Sequence, residues 1–430
     1  MTDRRFDVLV VGSGPAGSIA AAVLARGGAR VAIVDKATFP RDKACGDLIG
    51  PRGVQLLRDL HLDVPDAPRV SDMVVVGPTG NRVRLPARPG RTYPGHGIVV
   101  QRAQFDAVLQ GAAIDAGAEL VTGRADAPID ENGRLTGFSV SSGSRPAARV
   151  RADVVVGADG ATSRVAEVAR LVDPRRVLWG FAVRAYYDEP VDLPHILFWT
   201  PEPAAGFPGY GWVFPAGEGR GNVGLGVGVL ADRSAGRRAG RDLDAFIAHA
   251  ARVGVLGACG SSRLPTRPLG AWLKMGLVGT MPARGRVLLV GDAAGLVNPM
   301  QGEGIAQAMA SGRAAAVAIL GGVERAAGHY RAHLAQEHAR YLSTSAAVQR
   351  SLLRRPRLVA ALTRGLTWPG VGKPLAGGWS ITWNDLLDGA PPNIAKGVAA
   401  VATGVGHAIT ARSADRKWIT THVLHESSVP

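Results

Sequence analysis

The chain contains little cysteine: Cys45 and Cys259 are its two thiols in 430 residues. They lie far apart and form no CxxC pair, so neither a disulfide framework nor a metal site is predicted. No uninterrupted run of about 18 apolar residues occurs, which argues against a membrane-spanning helix. The N-terminus leads directly into an apolar strand pattern, and we therefore expect no signal peptide. Together these absences favour a cytoplasmic protein in a reducing environment.

Acidic residues are the minority charge. Lys and Arg total 50 against 35 Asp and Glu, which gives a formal net charge of +15. Such an excess is compatible with nucleic acid, an anionic membrane surface or phosphate-bearing ligands. Aromatic and basic residues are not interleaved on any recognisable module, so binding to nucleic acid is disfavoured.

The densest basic segment lies at residues 350–364. Arginines are interspersed there with aliphatic side chains: Arg350, Leu352, Leu353, Arg354, Arg355, Arg357, Leu358, Val359, Leu362 and Arg364. This mixture is typical of a basic amphipathic helix. A peripheral contact with the inner membrane surface is one interpretation, and an ordinary solvated helix face is the other.

A glycine turn is the first motif with chemical meaning. Gly12, Gly14 and Gly17 follow an apolar run at residues 6–11 and precede an Ala-rich segment at residues 16–26. In such a strand-turn-helix unit the first glycine permits a tight turn and the second lets the backbone approach a pyrophosphate. The third allows close packing of helix on strand, and the helix N-terminus offers free N–H donors.

Asp35 strengthens the interpretation of this turn. It closes a second buried strand pattern at residues 30–34, eighteen residues after Gly17. An acidic residue in this place is expected to hydrogen-bond the ribose of an adenine dinucleotide. A glycine turn that merely packs two elements together would not account for it, so the sequence predicts a dinucleotide-binding βαβ unit.

Two later strand patterns, at residues 150–156 and 286–290, end close to Asp159 and Asp292. The carboxyl ends of parallel strands meet at the ligand crevice, where a carboxylate can accept a hydrogen bond from a ribityl hydroxyl. The helix predicted at residues 304–320 would direct its positive end toward a reduced flavin. These features favour FAD over NAD.

A second layer of β structure is predicted at residues 70–100 and 180–229, where short strand patterns are separated by Gly and Pro. Tyr210, Trp212 and Phe214 alternate there, as residues on one face of a strand do. Such bulky rings can wall an apolar cavity, although ordinary core packing is the alternative.

The order and spacing of these motifs resemble the flavoprotein hydroxylase superfamily, whose members share a p-hydroxybenzoate hydroxylase-like fold. Within it the chain most resembles the geranylgeranyl reductase family. Three segments carry this closer resemblance: Phe39-Pro40-Arg41-Asp42-Lys43-Ala44-Cys45-Gly46, Tyr210-Gly211-Trp212-Val213-Phe214-Pro215 and Asn298-Pro299-Met300-Gln301-Gly302-Glu303-Gly304-Ile305. The resemblance covers about residues 6–345.

The resemblance implies an α/β protein with a discontinuous Rossmann-like FAD-binding domain, a mostly antiparallel β-sheet substrate domain and a helical C-terminal region. We expect the FAD-binding domain at residues 1–69, 100–175 and 281–345, the substrate domain at 70–99 and 176–280, and the helical region at 346–430. The sequence pattern beyond Leu366 is broken by Gly and Pro, and a last helix is expected at residues 394–410.

The same resemblance implies a set of cofactor contacts. They are Gly12, Gly14, Ala16, Gly17, Asp35, Lys36, Arg41, Ala44, Cys45, Gly46, Arg102, Asp159, Asp292, Gly302, Gly304 and Ile305. Asp35 replaces the Glu more usual in such flavoproteins and has a shorter reach. Cys45, Tyr210 and Trp212 are the expected catalytic residues, with Cys45 positioning substrate or relaying a proton. Cys259 has no such context and is expected to be structural.

The function implied is reduction of C=C bonds in an isoprenoid or other long apolar substrate by reduced FAD. NAD(P)H or another reductant would supply the electrons through a transient contact, since no second dinucleotide motif appears. An FAD-dependent monooxygenase on the same scaffold is the alternative, because a fold does not fix the chemistry. Halogenation is disfavoured, since the Trp-x-Trp-x-Ile-Pro pattern of halogenases is replaced here by the run ending at Phe214-Pro215.

Overall fold

The computed structural model describes residues 2–143, 145–199, 209–229, 235–257 and 266–383, together with Leu386 and Gly397. Cys259 and, apart from Gly397, the helix expected at residues 394–410 lie outside these residues. The helices are α1 (Pro15–Arg26), α2 (Pro51–Asp59), α3 (Arg102–Asp115), α4 (Arg164–Val168), α5 (Ala235–Arg252), α6 (Ile305–Leu320), α7 (Ala326–Leu334), α8 (Arg340–Leu353), α9 (Pro356–Gly365) and α10 (Gly372–Trp383).

The strands belong to three sheets. They are β1 (Asp3–Val11), β2 (Val31–Asp35), β3 (Leu48–Ile49), β4 (Arg69–Val70), β5 (Asp72–Val76), β6 (Arg82–Pro86), β7 (Gly97–Val99), β8 (Glu119–Thr122), β9 (Arg124–Glu131), β10 (Arg134–Ser142), β11 (Arg145–Gly157), β12 (Leu178–Tyr187), β13 (His195–Leu197), β14 (Gly209–Gly217), β15 (Arg220–Val229), β16 (Leu269–Met275), β17 (Ala283–Arg284) and β18 (Val287–Leu289).

The first sheet has the order β17-β18-β11-β1-β2-β8, and β10 and β9 extend it from β11 as antiparallel strands. Its centre is parallel: Val10 of β1 lies opposite Val156 of β11 and Ile33 of β2. All three side chains are buried. Strands covered on both faces need apolar residues throughout, which explains the near-continuous hydrophobic runs in the sequence.

The second sheet has the order β16-β12-β15-β14-β13-β5-β6 and is antiparallel except where β13 pairs with β5. Helix α5 covers one of its faces with Leu243, Phe246 and Ile247, all fully buried. Helix α5 was not predicted from the sequence, although its strongly one-sided pattern of apolar residues is helical. The opposite face of the sheet remains available to line a cavity. A small third sheet has the order β3-β7-β4, and its strands come from residues 48–99.

Two expectations for the C-terminal segment were wrong. The basic stretch at residues 350–364 is not one helix, because α8 ends at Leu353 and α9 begins at Pro356. Proline cannot continue a helix but is well suited to its first position. The segment beyond Leu366, expected to be broken by Gly and Pro, forms α10 instead, since Pro374 lies in its first turn, where no N–H donor is needed.

The predicted fold class is therefore confirmed: an α/β sheet, a mostly antiparallel second sheet and helices near the C-terminus. Among the helices that the structure describes, none is both long and apolar enough to cross a membrane.

Candidate active site

A cavity of about 1000 Å³ lies between the first sheet, the second sheet and the C-terminal helices. Gly14 and Ala16 of the glycine turn line one part of it, and Asp292 follows from the end of β18. Trp212 of β14 and Leu362 of α9 line another part. The cavity thus joins the predicted dinucleotide-binding elements to an apolar compartment.

The glycine turn has the geometry that the sequence motif predicts. Gly12 has φ of +101°, and a Cβ atom there would lie 2.4 Å from the Ala158 carbonyl oxygen. A Cβ atom on Gly17 would lie 1.9 Å from the Gly12 carbonyl oxygen. On Gly14 the nearest atom would be Nη2 of Arg41 at 3.8 Å, so its backbone is open to the cavity. Only glycine suits the first and third positions, and the second leaves room for a ligand.

Two helix N-termini point their free N–H donors at this cavity. Helix α1 begins at Pro15 after Gly14, and α6 begins at Ile305 after Gly304. No side chain in the described part of the chain caps either terminus. Uncapped N–H groups and the helix dipole favour an anion. The residues present therefore fit a pyrophosphate at α1 and an electron-rich group at α6.

Asp35 lies at the end of β2 but outside the cavity lining. Its Oδ2 accepts hydrogen bonds from the Ser13 N–H at 2.7 Å and the Ser13 hydroxyl at 3.0 Å. Its Oδ1 accepts from the Ala37 N–H at 2.8 Å. The short carboxylate thus fixes the glycine turn from behind. Lys36, beside it, is exposed.

The two later carboxylates have different surroundings. Asp159 turns toward α4, where its Oδ2 accepts from the N–H groups of Arg164 at 2.6 Å and Val165 at 3.1 Å. Burial raises its pKa, while these donors and Ser163 act in the opposite direction. Asp292 lines the cavity next to Gly304. The structure therefore brings Asp292, but not the side chain of Asp159, to the cavity surface.

Lys274 was missed by the sequence analysis. Its side chain is buried on β16, and burial lowers its pKa to about 8, although Asp159 and Asp292 act to raise it. A single lysine in a strand pattern was the available signal, but the sequence could not show which carboxylates it faces.

Arg102 belongs to a buried ion-pair cluster. Its Nε and Nη2 donate to the two carboxylate oxygens of Asp106 at 2.7 and 2.6 Å. Nη2 of Arg41 lies 3.1 Å from Oδ2 of the same carboxylate. Burial alone would lower the pKa of Arg102, but Asp106 and then Cys45 raise it. Arg102 lines the cavity, whereas Arg41 is outside its lining, with Nη2 3.8 Å from where a Cβ atom of Gly14 would lie.

The aromatic strand forms one wall of the cavity. Tyr210 and Trp212 line it with ring centroids 6.2 Å apart, and Phe214 follows at 6.3 Å from Trp212. A Cβ atom on Gly46 would lie 3.0 Å from the Phe214 ring, and one on Gly224 would lie 2.2 Å from the Trp212 ring. The absence of a side chain at these two glycines therefore leaves room for the Phe214 and Trp212 rings. Alternation along β14 does serve the cavity rather than core packing alone.

Tyr210 also contacts the segment before α6. Its hydroxyl donates a hydrogen bond to the carbonyl oxygen of Gln301. Burial raises the pKa of Tyr210, and the charges of Glu303 and Cys45 raise it further. The phenol is consequently protonated throughout the physiological range.

Cys45 is half-buried and lines the same cavity as Tyr210 and Trp212. The Arg102 guanidinium lies in hydrogen-bonding and electrostatic contact with its sulfur. Cavity exposure and a direct guanidinium contact give this cysteine the surroundings of a functional group rather than of a buried structural residue.

Most of the predicted site residues meet in this one cavity. Those that line it are Gly14, Ala16, Ala44, Cys45, Gly46, Arg102, Tyr210, Trp212, Asp292, Gly302, Gly304 and Ile305. Those outside its lining are Gly12, Gly17, Asp35, Lys36, Arg41 and Asp159. Gly12, Gly17 and Asp35 determine the geometry of the glycine turn, and Asp159 accepts hydrogen bonds from the first residues of α4.

Two buried polar residues beside Cys45 were also missed. Asp47 follows Cys45-Gly46 in the chain, and Asn222 lies on β15 within the run Gly221-Asn222-Val223-Gly224. Both side chains are fully buried and hydrogen-bonded to each other. A lone amide in an otherwise apolar strand is a readable signal of a buried polar site. Asp47 offered no comparable pattern.

The comparisons with known proteins agree with this geometry. A family model for an FAD binding domain matches residues 5–210. The chain is 35% identical over 379 residues to a menaquinone reductase of Mycolicibacterium smegmatis, covering 86% of this chain and 88% of that protein. It is 34% identical over 320 residues to a digeranylgeranylglycerophospholipid reductase of Methanoculleus marisnigri, covering 73% and 76%.

A solved structure shares the fold. The geranylgeranyl bacteriochlorophyll reductase-like protein of Thermoplasma acidophilum matches with a TM-score of 0.70 and 23% sequence identity, over 93% of this chain and 100% of that one. The similarity in fold therefore extends well beyond the segment that the FAD binding domain model covers.

Proposed function

Since the chain belongs to the geranylgeranyl reductase family of FAD-dependent oxidoreductases, we propose that it saturates C=C bonds of an isoprenoid chain carried by a membrane lipid or quinone. FAD is its cofactor. The relatives named above act on menaquinone and on a digeranylgeranyl phospholipid, according to their names. A substrate of the same class is what we propose for this chain.

One observation carries the proposal: the cavity continues from the cofactor elements into an apolar compartment. Its walls there come from two parts of the fold. The second sheet contributes Ile196, Trp212 and Leu273, and the C-terminal helices contribute Leu352 and Leu362. A long apolar chain gains free energy by entering such a compartment, at roughly 25 cal/mol for each Å² buried.

The protein residues would orient the double bond and exclude water. The N-termini of α1 and α6 would hold FAD, which in its reduced form would supply a hydride for one carbon, with NAD(P)H or another reductant as the source of electrons. Cys45 lies at the cavity surface with Arg102 beside it, where a thiol can deliver the proton that the other carbon needs. Trp212 and Tyr210 hold the apolar chain against that position.

The proposal is tested by anaerobic incubation of the dithionite-reduced holoprotein with menaquinone, geranylgeranyl diphosphate or a digeranylgeranyl glycerophospholipid. We expect a mass gain of two hydrogens for each bond reduced. Ala182→Leu, which narrows the cavity beside Trp212, should suppress this gain while flavin content stays unchanged. No gain on any of the three substrates would count against reduction, and an oxygen gained in air with NAD(P)H would favour the monooxygenase alternative.

We further propose that the cavity mouth faces an anionic membrane surface. A membrane patch of exposed apolar side chains surrounds α9 and the start of α10: Leu358, Leu362, Trp368, Val371 and Leu375. Exposed basic side chains border it: Arg354, Arg355, Arg357, Arg364 and Lys373. Apolar contact combined with positive charge is the combination that binds anionic lipid surfaces.

The membrane patch is continuous with the substrate compartment. Leu362 and Lys373 are exposed and also line the cavity, so they lie at its mouth. An isoprenoid carried by a membrane lipid could then pass from the bilayer into the cavity without crossing water. This continuity supports the proposal that the membrane patch binds an anionic bilayer.

Flotation with vesicles tests the membrane contact. We expect more binding to phosphatidylglycerol-containing vesicles than to pure phosphatidylcholine, with less binding at high salt. Val371→Ser should weaken it severalfold, whereas Val317→Ser on α6, the same change at a comparable exposure of 57% against 53%, should not. Equal flotation of the two variants would contradict the assignment of this patch.

A further inference from the structure

The loop that carries Cys45 is held by hydrogen bonds from the second sheet. Asn222 of β15 donates from Nδ2 to the carbonyl oxygen of Cys45 at 2.8 Å and to Oδ2 of Asp47 at 2.7 Å. Arg184 of β12 donates to the carbonyl oxygen of Lys43 at 3.2 Å and pairs with Asp42. The loop is thus attached to the sheet on both sides of the cysteine.

The same Asn222 side chain reaches the aromatic wall. Its Oδ1 accepts a hydrogen bond from Nε1 of Trp212 at 2.9 Å. One amide therefore touches the backbone of Cys45, the carboxylate of Asp47 and the indole of Trp212. Because its donors face the loop and its acceptor faces the indole, the amide group has one orientation that satisfies all of them.

Asp47 completes this arrangement at an unusual backbone position. Its φ is +62°, a conformation that residues other than glycine seldom adopt. Oδ2 also accepts from the Tyr186 hydroxyl at 2.9 Å, and Oδ1 accepts from the Arg102 N–H at 3.2 Å. A carboxylate buried without such donors would be strongly disfavoured, so the surrounding groups determine where the loop can lie.

We propose that Asn222 and Asp47 are positioning residues that hold the Cys45 loop at a fixed distance from the Trp212 wall. They act through the Cys45 carbonyl and the Trp212 indole and do not line the cavity themselves. The consequence for turnover rests on the proposed reduction, whereas the positioning of the thiol does not.

The test measures the reactivity of Cys45 directly, so it needs no substrate. Asn222→Ala removes all three contacts, and we expect Cys45 in the holoprotein to be alkylated by iodoacetamide at least fivefold faster. Mass spectrometry of the tryptic peptide at residues 44–52 reports this cysteine apart from Cys259. The absorption spectrum of the bound flavin should shift as the nearby loop relaxes.

A matched pair of variants on β12 provides the control. Tyr186→Phe removes one hydroxyl that Asp47 accepts from, while Tyr187→Phe removes a hydroxyl from the opposite face of the same strand, inside the core under α5. We expect a twofold to threefold faster alkylation of Cys45 in Tyr186→Phe and an unchanged rate in Tyr187→Phe. This pair decides the matter even if Asn222→Ala does not fold.

Turnover gives the second readout. If the proposed reduction is correct, kcat of Asn222→Ala should fall at least tenfold with a smaller change in KM, because binding area is retained while the thiol is displaced. Faster alkylation without any isoprenoid reduction in the parent protein would leave the positioning role standing and would count against the proposed function. An unchanged alkylation rate in Tyr186→Phe, and in Asn222→Ala where that variant folds, would overturn the positioning role.

Discussion

The two ends of the cavity are built in different ways. At the cofactor end the backbone sets the shape. Gly12 and Gly17 lie so close to neighbouring carbonyl oxygens that no side chain would fit, and the N-terminus of α1 supplies N–H donors. At the substrate end it is set by side chains, with Asn222 and Asp47 joining the Cys45 loop to the aromatic wall. Backbone contacts cannot be adjusted, whereas a side-chain network can change with pH or with one substitution.

The largest effect is expected at the cofactor end. Gly17→Ala would place a methyl group 1.9 Å from the Gly12 carbonyl oxygen, and neither backbone segment can move away. We expect a loss of about 3 kcal/mol in the free energy of unfolding and little bound flavin. Urea unfolding and flavin absorbance after gel filtration measure both. Gly111→Ala in α3, where no atom lies within 4 Å of the new methyl group, is the control and should retain flavin.

The second prediction concerns the substrate end, where Asp47 makes the stability of the protein depend on pH. Burial raises the pKa of Asp47 from 3.8 to about 6, although Asn222, Arg184, Tyr186 and Arg102 oppose the rise. Between these values the folded chain binds more protons than the unfolded chain, so its stability falls as pH rises through this window. The contribution is about 3 kcal/mol, and it is fully present below the unfolded pKa.

Urea unfolding of the parent protein and Asp47→Asn between pH 4 and pH 7 measures this contribution. His338 is buried with its pKa lowered to about 4, so its stabilising contribution is instead lost as pH falls, and equally in both proteins. The difference between the two proteins therefore isolates Asp47. Parallel stability curves would show that Asp47 does not titrate in this window.

The smallest effect lies within the aromatic wall. Gly224→Ala would put a methyl group 2.2 Å from the Trp212 ring and 2.6 Å from the Val183 carbonyl oxygen, while Gly226→Ala would put one 3.9 Å from the ring. We expect the first variant to raise KM for an isoprenoid severalfold, equivalent to about 1 kcal/mol, because the ring must shift into the cavity. The second should match the parent protein. If both variants raised KM alike, Trp212 would not be the wall that the strand positions.

The cofactor end, which the backbone defines, could be predicted from the sequence more fully than the substrate end, which side chains define. The glycine turn could be predicted because its backbone leaves no room for a side chain at Gly12 and Gly17, so only glycine can occupy these positions. Alternation along β14 likewise identified Tyr210 and Trp212, since a strand has a period of two. Both depend on local geometry alone.

The side-chain network was not readable in the same way. Asn222 and Asp47 lie 175 residues apart, and their hydrogen bond depends on how β15 meets the loop after Cys45. Asp35 was identified, but its contact with Ser13 was not, because the sequence cannot show which donor a short carboxylate reaches. The break at Pro356 between α8 and α9 was available from the proline and was overlooked.

The arrangement of the first sheet constrains the order in which the chain can become functional. Its parallel centre combines β1 and β2 from the start of the chain with β11 and then β18, and α6 packs on α1. Helix α1 can pack on α3 early, but α6, which ends at Leu320, must also be made before it can pack on α1. Contacts between such distant segments form slowly. The two helix N-termini that face the cavity therefore come together late in folding, and we expect cofactor capture to follow the assembly of most of the described chain.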